Sequence, residues 1–343
     1  MSVRNILVWL PAPMGDAIMA TPALRCLRRK IYANDKIFFL AGKTNAEILT
    51  GCRFCDDWVI LKEKSPFKIA KELKKYKFTD AILFKNSFAS AMAVFLAGIK
   101  NRIGYARDGR GLLLTRKLQP EKISFFKYKP VSVIDYYLKI PAALGADISN
   151  KQTELSVNEN DKKIIPEKFG ITPNSKKPIV ILVPGGAFGP SKMWPEERFA
   201  KTADFLAEKF SAQVFVSVSP VKKETDIAEK ICSLAKCSIT NLGKNPVSLG
   251  QLKTLFSFAN LVITNDTGPR HIAIALNRKL ITMFGPNNPA WTSNDYKDEI
   301  KIVGKAPCVP CDKPICKQEK HYCMESISAE MICDAAEKIL KNG

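Results

Sequence analysis

The chain is poor in histidine, with only His271 and His321 among 343 residues, and poor in acids, with 33 Asp and Glu against 53 Lys and Arg. It has no long apolar run. The longest, "FASAMAVFLAGI" (88–99), falls short of the ~20 residues that cross a bilayer, which excludes a spanning helix. The first apolar strand follows directly on "MSVRN", with no h-region and no small-residue cleavage site, so a cytoplasmic protein without a signal peptide is expected. No G-x-x-x-x-G-K-[ST] occurs, which excludes a Walker A loop. The first strand does not lead into G-x-G-x-x-G, which argues against a dinucleotide-binding domain of the NAD type. No long low-complexity segment is present, and 46% apolar with 25% charged residues is the composition of a globular protein.

What the chain does have is positive charge. A net charge of +20 favours polyanions: nucleic acid, an anionic membrane surface or a phosphorylated substrate. The basic residues crowd "LKEKSPFKIAKELKKYK" (61–77) and residues 100–130. The lysines of the first stretch lie at helical spacing opposite Ile69 and Leu73 and read as a solvated face. Ten cysteines without a secretory signal point to thiols or metal ligands before disulfides. Cys26, Cys232, Cys237 and Cys333 have apolar surroundings, as small core residues do; Cys52 and Cys55 form an isolated C-x-x-C pair.

Short apolar strands alternate with helical patterns, first over residues 5–145 and again from 178 onward. Near-continuous apolar strands with intervening helices predict parallel sheets covered on both faces. The polar stretch 146–177, with Pro166 and Pro173, reads as a linker or peripheral element, and the predicted division is a first domain over 1–165 and a second over 175–343. Thr21-Pro22 is a natural helix start, a hydroxyl N-cap followed by proline. Ligands of such sheets bind beyond the carboxyl ends of the strands, so the turns there are the places for chemistry.

Three turns stand out. "LPAPMGDAIMATPAL" (10–24) carries Gly15 and Asp16 into a helix. A carboxylate there is either one tolerated by a helix N-terminus or a general base at the crevice. "PGGAFGPSKMWPEERF" (184–199) is a glycine loop that delivers Lys192, a point charge suited to a phosphate. "NDTGPRHIAIAL" (265–276) places Asp266, Thr267 and Gly268 where a strand passes into a helix, the setting of an anion site, with His271 in the first turn.

Together these turns, with "RIGY" (102–105), "GLLLT" (111–115), "TMFGPNNP" (282–289) and the tail "CVPCDKPICKQEKHYCMESIS" (308–328), resemble the heptosyltransferases of lipopolysaccharide core synthesis, glycosyltransferase family 9, in its heptosyltransferase II branch. The resemblance implies an α/β GT-B fold: two Rossmann-like parallel-sheet domains facing a central cleft, the first on the acceptor side and the second holding the nucleotide-sugar. It implies inverting transfer of a heptose from an ADP-activated donor, with no metal or other cofactor required. Asp16 matches the family's general base. Lys192 matches the lysine that meets the donor phosphates. Gly15, Asp266, Thr267, Gly268 and His271 match donor-site positions, and Glu224 an acidic residue that binds the nucleoside. There are two departures: "SVSPVKKE" (217–224) lacks the glycines usual before that acid, and Arg270 replaces an apolar residue, a change that would add a cation near the diphosphate.

The implied partners are the ADP-sugar and a lipid-anchored anionic saccharide at the inner face of the cytoplasmic membrane, reached by a monomer through peripheral contact and without nucleic acid. Arg102, Arg107, Arg110 and Arg116, with Tyr105, Phe125, Phe126 and Tyr128 interleaved, are the residues expected to meet that surface. Cys308, Cys311, Cys316 and Cys323, with His321 close by, could supply a structural zinc, with reduced thiols or local disulfides as alternatives. Three rival functions fit parts of the pattern: a GT-B enzyme acting on another nucleotide-sugar, including an epimerase; a silent sugar-nucleotide sensor; and a basic nucleic-acid-binding protein.

Overall fold

The structure is a computed structural model that describes residues 3–124, 127–172 and 175–341. The chain divides into two compact units, residues 1–155 with 290–295 and residues 156–289 with 296–343.

The first unit holds strands β1 (Asn5–Trp9), β2 (Lys36–Ala41), β3 (Asp57–Ile60), β4 (Asp80–Leu83), β5 (Asn101–Tyr105) and β6 (Arg116–Leu118), with a small hairpin β7 (Lys122–Ser124) and β8 (Lys127–Tyr128). Its helices are α1 (Met14–Met19), α2 (Thr21–Cys26), α3 (Lys43–Leu49), α4 (Pro66–Lys74), α5 (Phe88–Leu96) and α6 (Val133–Ala143). The second unit holds β9 (Ile179–Val183), β10 (Gln213–Val216), β11 (Ile239–Asn241), β12 (Leu261–Asn265), β13 (Leu280–Phe284) and β14 (Glu299–Val303). Its helices are α7 (Asp161–Phe169), α8 (Glu196–Phe210), α9 (Lys222–Leu234), α10 (Leu249–Phe258), α11 (Gly268–Ala275), α12 (Tyr322–Glu325) and α13 (Ala329–Lys341).

The six-stranded sheets run in the orders β3-β2-β1-β4-β5-β6 and β11-β10-β9-β12-β13-β14, and every pairing within them is parallel. Each is the doubly wound order, in which the direction of winding reverses beside the first strand. β9 is buried at all five positions and β1 at four of five, because helices cover both faces. Leu7, Leu40, Leu83 and Val94 lie in the core of the first unit; Leu182, Trp194, Phe199 and Ile263 lie in that of the second. The crevices open at the carboxyl ends of β1 and β4 in one unit and of β9 and β12 in the other.

Several expectations are corrected. Thr21 is not an N-cap. The helical path already starts at Met14, and the Thr21 hydroxyl donates to the Ile18 carbonyl and accepts from the Glu154 N–H. Of the two readings of 146–177, the peripheral element holds for α7, whose Phe169 packs edge-on against Phe215 of β10.

Of the four arginines expected on a charged face, Arg116 is exposed and Arg102 and Arg107 are half-buried. Arg110 is fully buried and donates to the carbonyls of Tyr105 and Lys85 and to Asn86. Arg102 donates to the carbonyls of Leu113 and Ile99, Arg116 to that of Ala143, and Arg107 lies over the Tyr128 ring. Tyr105 is a core residue stacked on Tyr136. Phe125 and Phe126 lie outside the described residues.

Candidate functional site

In the first unit, β1 ends at Trp9 and the Pro11–Pro13 turn leads into α1, which puts Asp16 in the first helical turn at the reversal point of the sheet. The buried Asn45 amide fixes that turn by donating to the carbonyls of Pro11 (2.6 Å) and Ala12 (3.2 Å). Asp16 Oδ2 accepts a hydrogen bond of 3.3 Å from the Tyr137 hydroxyl on α6. Tyr137 is itself buried and held edge-on by Phe84. Burial pushes the Asp16 carboxyl up to about 6, against the Tyr137 hydrogen bond, which pulls it down. Burial, reinforced by the charge of Asp16, pushes the Tyr137 hydroxyl well above its ordinary range, so it stays a donor. A carboxylate that titrates near neutrality at a crevice is the electrostatic form of a general base. Gly15 is the residue before it in α1.

In the second unit, three turns come together. The loop after β9 carries Gly185, Gly186 and Lys192; α9 carries Glu224 in its first turn; and α11 opens at Gly268 after β12. A Cβ on Gly185 would stand 2.4 Å from Glu224 Oε2, and one on Gly186 would stand 3.3 Å from Thr267 Oγ1. The loop therefore threads between Glu224 and Thr267, and its glycines are there for space. Glu224 also accepts from the Ser219 N–H at 2.9 Å, so the missing glycines of "SVSPVKKE" do not displace it from the crevice.

Lys192 is buried, with Nζ 2.6 Å from the Asp266 carbonyl, 3.0 Å from Asp266 Oδ2 and 4.7 Å from the centre of the Phe188 ring. Asp266 Oδ1 pairs with Arg270 at 3.1 Å. Burial works against the Asp266 charge, but Lys192 and Arg270 outweigh it and hold the carboxyl below its ordinary value. Arg270 does not add a free cation to the site. It is fully buried, and its guanidinium forms two bonds to Glu299 (2.6 and 3.0 Å) besides the one to Asp266. His271 is not a cation either: burial first, then the charge of Arg270, pushes it down to about 3, so it is a neutral imidazole at physiological pH. Thr267 is the N-cap of α11 and makes no side-chain cap bond, which leaves the positive end of the helix to an anion.

The cysteine-rich tail supports this loop from behind. Ser191 Oγ donates to the Lys313 carbonyl at 2.6 Å, and the Ser191 N–H to that of Pro314 at 3.2 Å. Gly189 has φ 147°, and a Cβ there would stand 2.3 Å from the Pro314 carbonyl oxygen. Cys308, Cys311, Cys316 and Cys323 are free thiols, and among the described residues no three His, Cys, Asp or Glu side chains gather as a metal site. Cys316 donates to the Lys320 carbonyl, and Cys323 is buried against Gly285, within electrostatic reach of Cys308, Cys316 and Cys311.

Sequence reasoning missed Tyr137 and Asn45. Asn45 lies in the first turn of α3, just beyond the carboxyl end of β2, a place that could have drawn attention to it; Tyr137 meets Asp16 across 121 residues and has no local signal.

Compared with known proteins, residues 66–322 match the sequence model of glycosyltransferase family 9 (heptosyltransferase). A lipooligosaccharide heptosyltransferase 2 of Campylobacter jejuni is 27% identical over 346 residues, covering 98% of this chain and 99% of its own. A lipooligosaccharide heptosyltransferase 2 of Haemophilus ducreyi is 32% identical over 247 residues, 69% of this chain and 68% of its own. The structure of the Escherichia coli ADP-heptose lipopolysaccharide heptosyltransferase II superposes with a TM-score of 0.80 at 24% identity, covering 98% of this chain and 99% of that one. The fold shared with it is GT-B, two Rossmann-like α/β units.

Proposed function

Because the chain belongs to glycosyltransferase family 9, we propose that it transfers a heptose from an ADP-heptose donor to a hydroxyl of a lipopolysaccharide inner-core acceptor, with inversion at the anomeric carbon. Asp16 takes the proton of the acceptor hydroxyl. The oxygen then forms its bond to the anomeric carbon as the bond to the β-phosphate oxygen breaks, and ADP leaves with that electron pair. Lys192 and the N-terminus of α11 take the growing charge of the diphosphate, so the mechanism calls on no metal. Thr267, Gly268 and His271 border the diphosphate, His271 as a neutral hydrogen-bonding group, and Glu224 receives the nucleoside. The enzyme works as a monomer in the cytoplasm and meets its lipid-anchored acceptor at the membrane surface.

The observation that carries this reading is Asp16: a carboxyl raised to about 6, fixed by Tyr137, at the reversal point of the first sheet. Incubation with ADP-heptose and a core acceptor, followed by assignment of the new anomeric linkage by NMR, tests it directly. A retained configuration, or donor hydrolysis with no transfer, would overturn it. A thermal-shift comparison of ADP-, UDP-, GDP- and CMP-sugars tests the donor, since the true one raises stability by mass action.

Two further outcomes are expected. The acidic limb of kcat/KM should fall near pH 6, because protonation of Asp16 removes the base. Tyr137→Phe should move that limb upward, since the lost hydrogen bond favoured the carboxylate; an unmoved limb would assign it to another group. Glu224→Gln should weaken ADP binding about tenfold, the scale of one hydrogen bond to a charged group, and titration calorimetry against ADP would show it.

A further inference from the structure

Among the described residues, no helix is long and apolar enough to cross a membrane, yet one surface of the first unit is built for apolar contact. Helix α5, "FASAMAVFL", has no charged residue, and its one polar side chain besides the N-cap, Ser90, points inward and donates to the carbonyls of Lys85 and Ser87. Its inner side, Ala91, Ala93 and Val94, packs into the core. Its outer side is apolar as well. Phe88 and Phe95, two turns apart on one face, are each 47% exposed, and Met92 and Leu96 are half-buried beside them. A helix apolar on all sides belongs inside a protein or against lipid. The Arg102 guanidinium lies over one side of the Phe95 ring, 5.3 Å from its centre, and both phenylalanines still stand half out of the protein.

The neighbour of α5 is α4, and it supplies the charge. Residues 61–77 carry Lys62, Lys64, Lys68, Lys71, Lys74, Lys75 and Lys77 against two acids, Glu63 and Glu72. Each acid pairs with one lysine, Glu63 with Lys68 at 3.4 Å and Glu72 with Lys75 at 2.5 Å. Lys62, Lys64, Lys71, Lys74 and Lys77 make no ion pair among the described residues. Phe67, at the start of α4, is 69% exposed. Between the ends of the two helices lies a cleft of about 300 Å³ whose wall includes Lys74, Lys77 and Lys100. Residues 81–107 contain no Asp or Glu at all. Exposed aromatics flanked by unpaired lysines, with a basic cleft at headgroup scale, match an anionic bilayer in both its layers.

We infer that the α4–α5 face of the first unit docks on an anionic phospholipid membrane, with Phe67, Phe88 and Phe95 entering the headgroup boundary and the lysines of α4 meeting lipid phosphates. This deepens the proposed function, since it rests on the reading that the acceptor is lipid-anchored. Within residues 100–130, Arg110 is consumed inside the fold and Arg102 and Arg116 donate to backbone carbonyls, so the face is placed on α4 and α5 instead. A second copy of the chain is a poorer occupant, because a self-complementary contact would set the same unpaired lysines against each other.

The test is co-sedimentation of the full chain with vesicles of phosphatidylcholine alone and of phosphatidylcholine mixed with phosphatidylglycerol, with no sugar donor present. Sedimentation is expected only with the anionic vesicles and should be lost in ~1 M salt, where the Debye length shrinks to about 3 Å. Lys62→Gln, Lys71→Gln and Lys74→Gln together should lower the partition coefficient ~10²-fold, at about fivefold for each lysine. Phe67→Ser with Phe95→Ser should lower it about tenfold. Transfer to a water-soluble, deacylated acceptor should be unchanged in both sets, which shows that the fold is intact. It also separates the two claims: loss of transfer in the wild type would reject the proposed activity, while vesicle binding is measured without it. Sedimentation with neither vesicle, equal sedimentation with both, or anionic binding that survives both sets of substitutions would overturn the docking face. So would self-association abolished by the phenylalanine substitutions in a chain that ignores vesicles.

Discussion

Asp16→Asn is expected to lower heptosyl transfer ~10²–10⁴-fold, the usual cost of removing a general base, while ADP binds as before. Asparagine keeps the shape of the side chain and can still meet the Tyr137 hydroxyl, so the loss isolates the proton acceptor. The same variant should be more stable than the wild type at neutral pH. Below its unfolded value of 3.8, Asp16 is protonated in both states and costs nothing. Above about 6 it is charged in both, and only the folded state bears the desolvation. The wild type therefore loses stability relative to Asp16→Asn as pH rises from about 4 to 6, and stays below it at pH 7. Urea titrations of both proteins at acid and neutral pH, beside a transfer assay, give the two readings. Unchanged turnover would remove Asp16 from the mechanism. A stability difference that does not depend on pH would remove the raised carboxyl as its source.

How far the sequence disclosed this arrangement depends on how local each cause is. The alternation of apolar strands and helices gives both parallel sheets, because β1, β9 and β12 are buried on two faces and so are apolar at nearly every position. Asp16, Lys192 and the Asp266–His271 turn are legible for a related reason: they follow strands whose carboxyl ends must line a crevice. β14 was not legible. Its Glu299 is a buried acid that reads as a surface residue until Arg270, 29 positions away, is known to bond it. Arg270 itself looked like a spare cation for the same reason. The distinction between the two basic stretches was also hidden. Charge counts are alike for a lysine that faces water and an arginine that caps carbonyls, and only the fold shows that Arg110 is consumed while Lys71 and Lys74 make no ion pair among the described residues.

Replacing Lys192 by methionine is expected to lower transfer by about 10²–10³-fold, the scale of losing one group that stabilises developing charge. The cluster around it explains why. Asp266 and Glu299 are matched by Lys192 and Arg270, with Lys301 reaching Glu299 from the edge at 3.5 Å, so both buried acids are paired before any substrate arrives. Arg270 is locked by two carboxylates and cannot respond to a new anion. Lys192 is different. It lies on a short 3-10 turn after a glycine loop, and one of its partners is a carbonyl, which a phosphate oxygen can replace. As the diphosphate gains charge, the ammonium can shift toward it, while Asp266 keeps its pairing with Arg270. Methionine keeps an unbranched stem of similar length and removes the ammonium together with its place over the Phe188 ring. Titration with ADP and adenosine side by side should show ADP weakened and adenosine unchanged, and His271→Ala should show the same pattern more weakly, as loss of a neutral hydrogen-bonding group. Equal losses for both ligands would move Lys192 away from the diphosphate, and full transfer activity in Lys192→Met would remove it from the reaction.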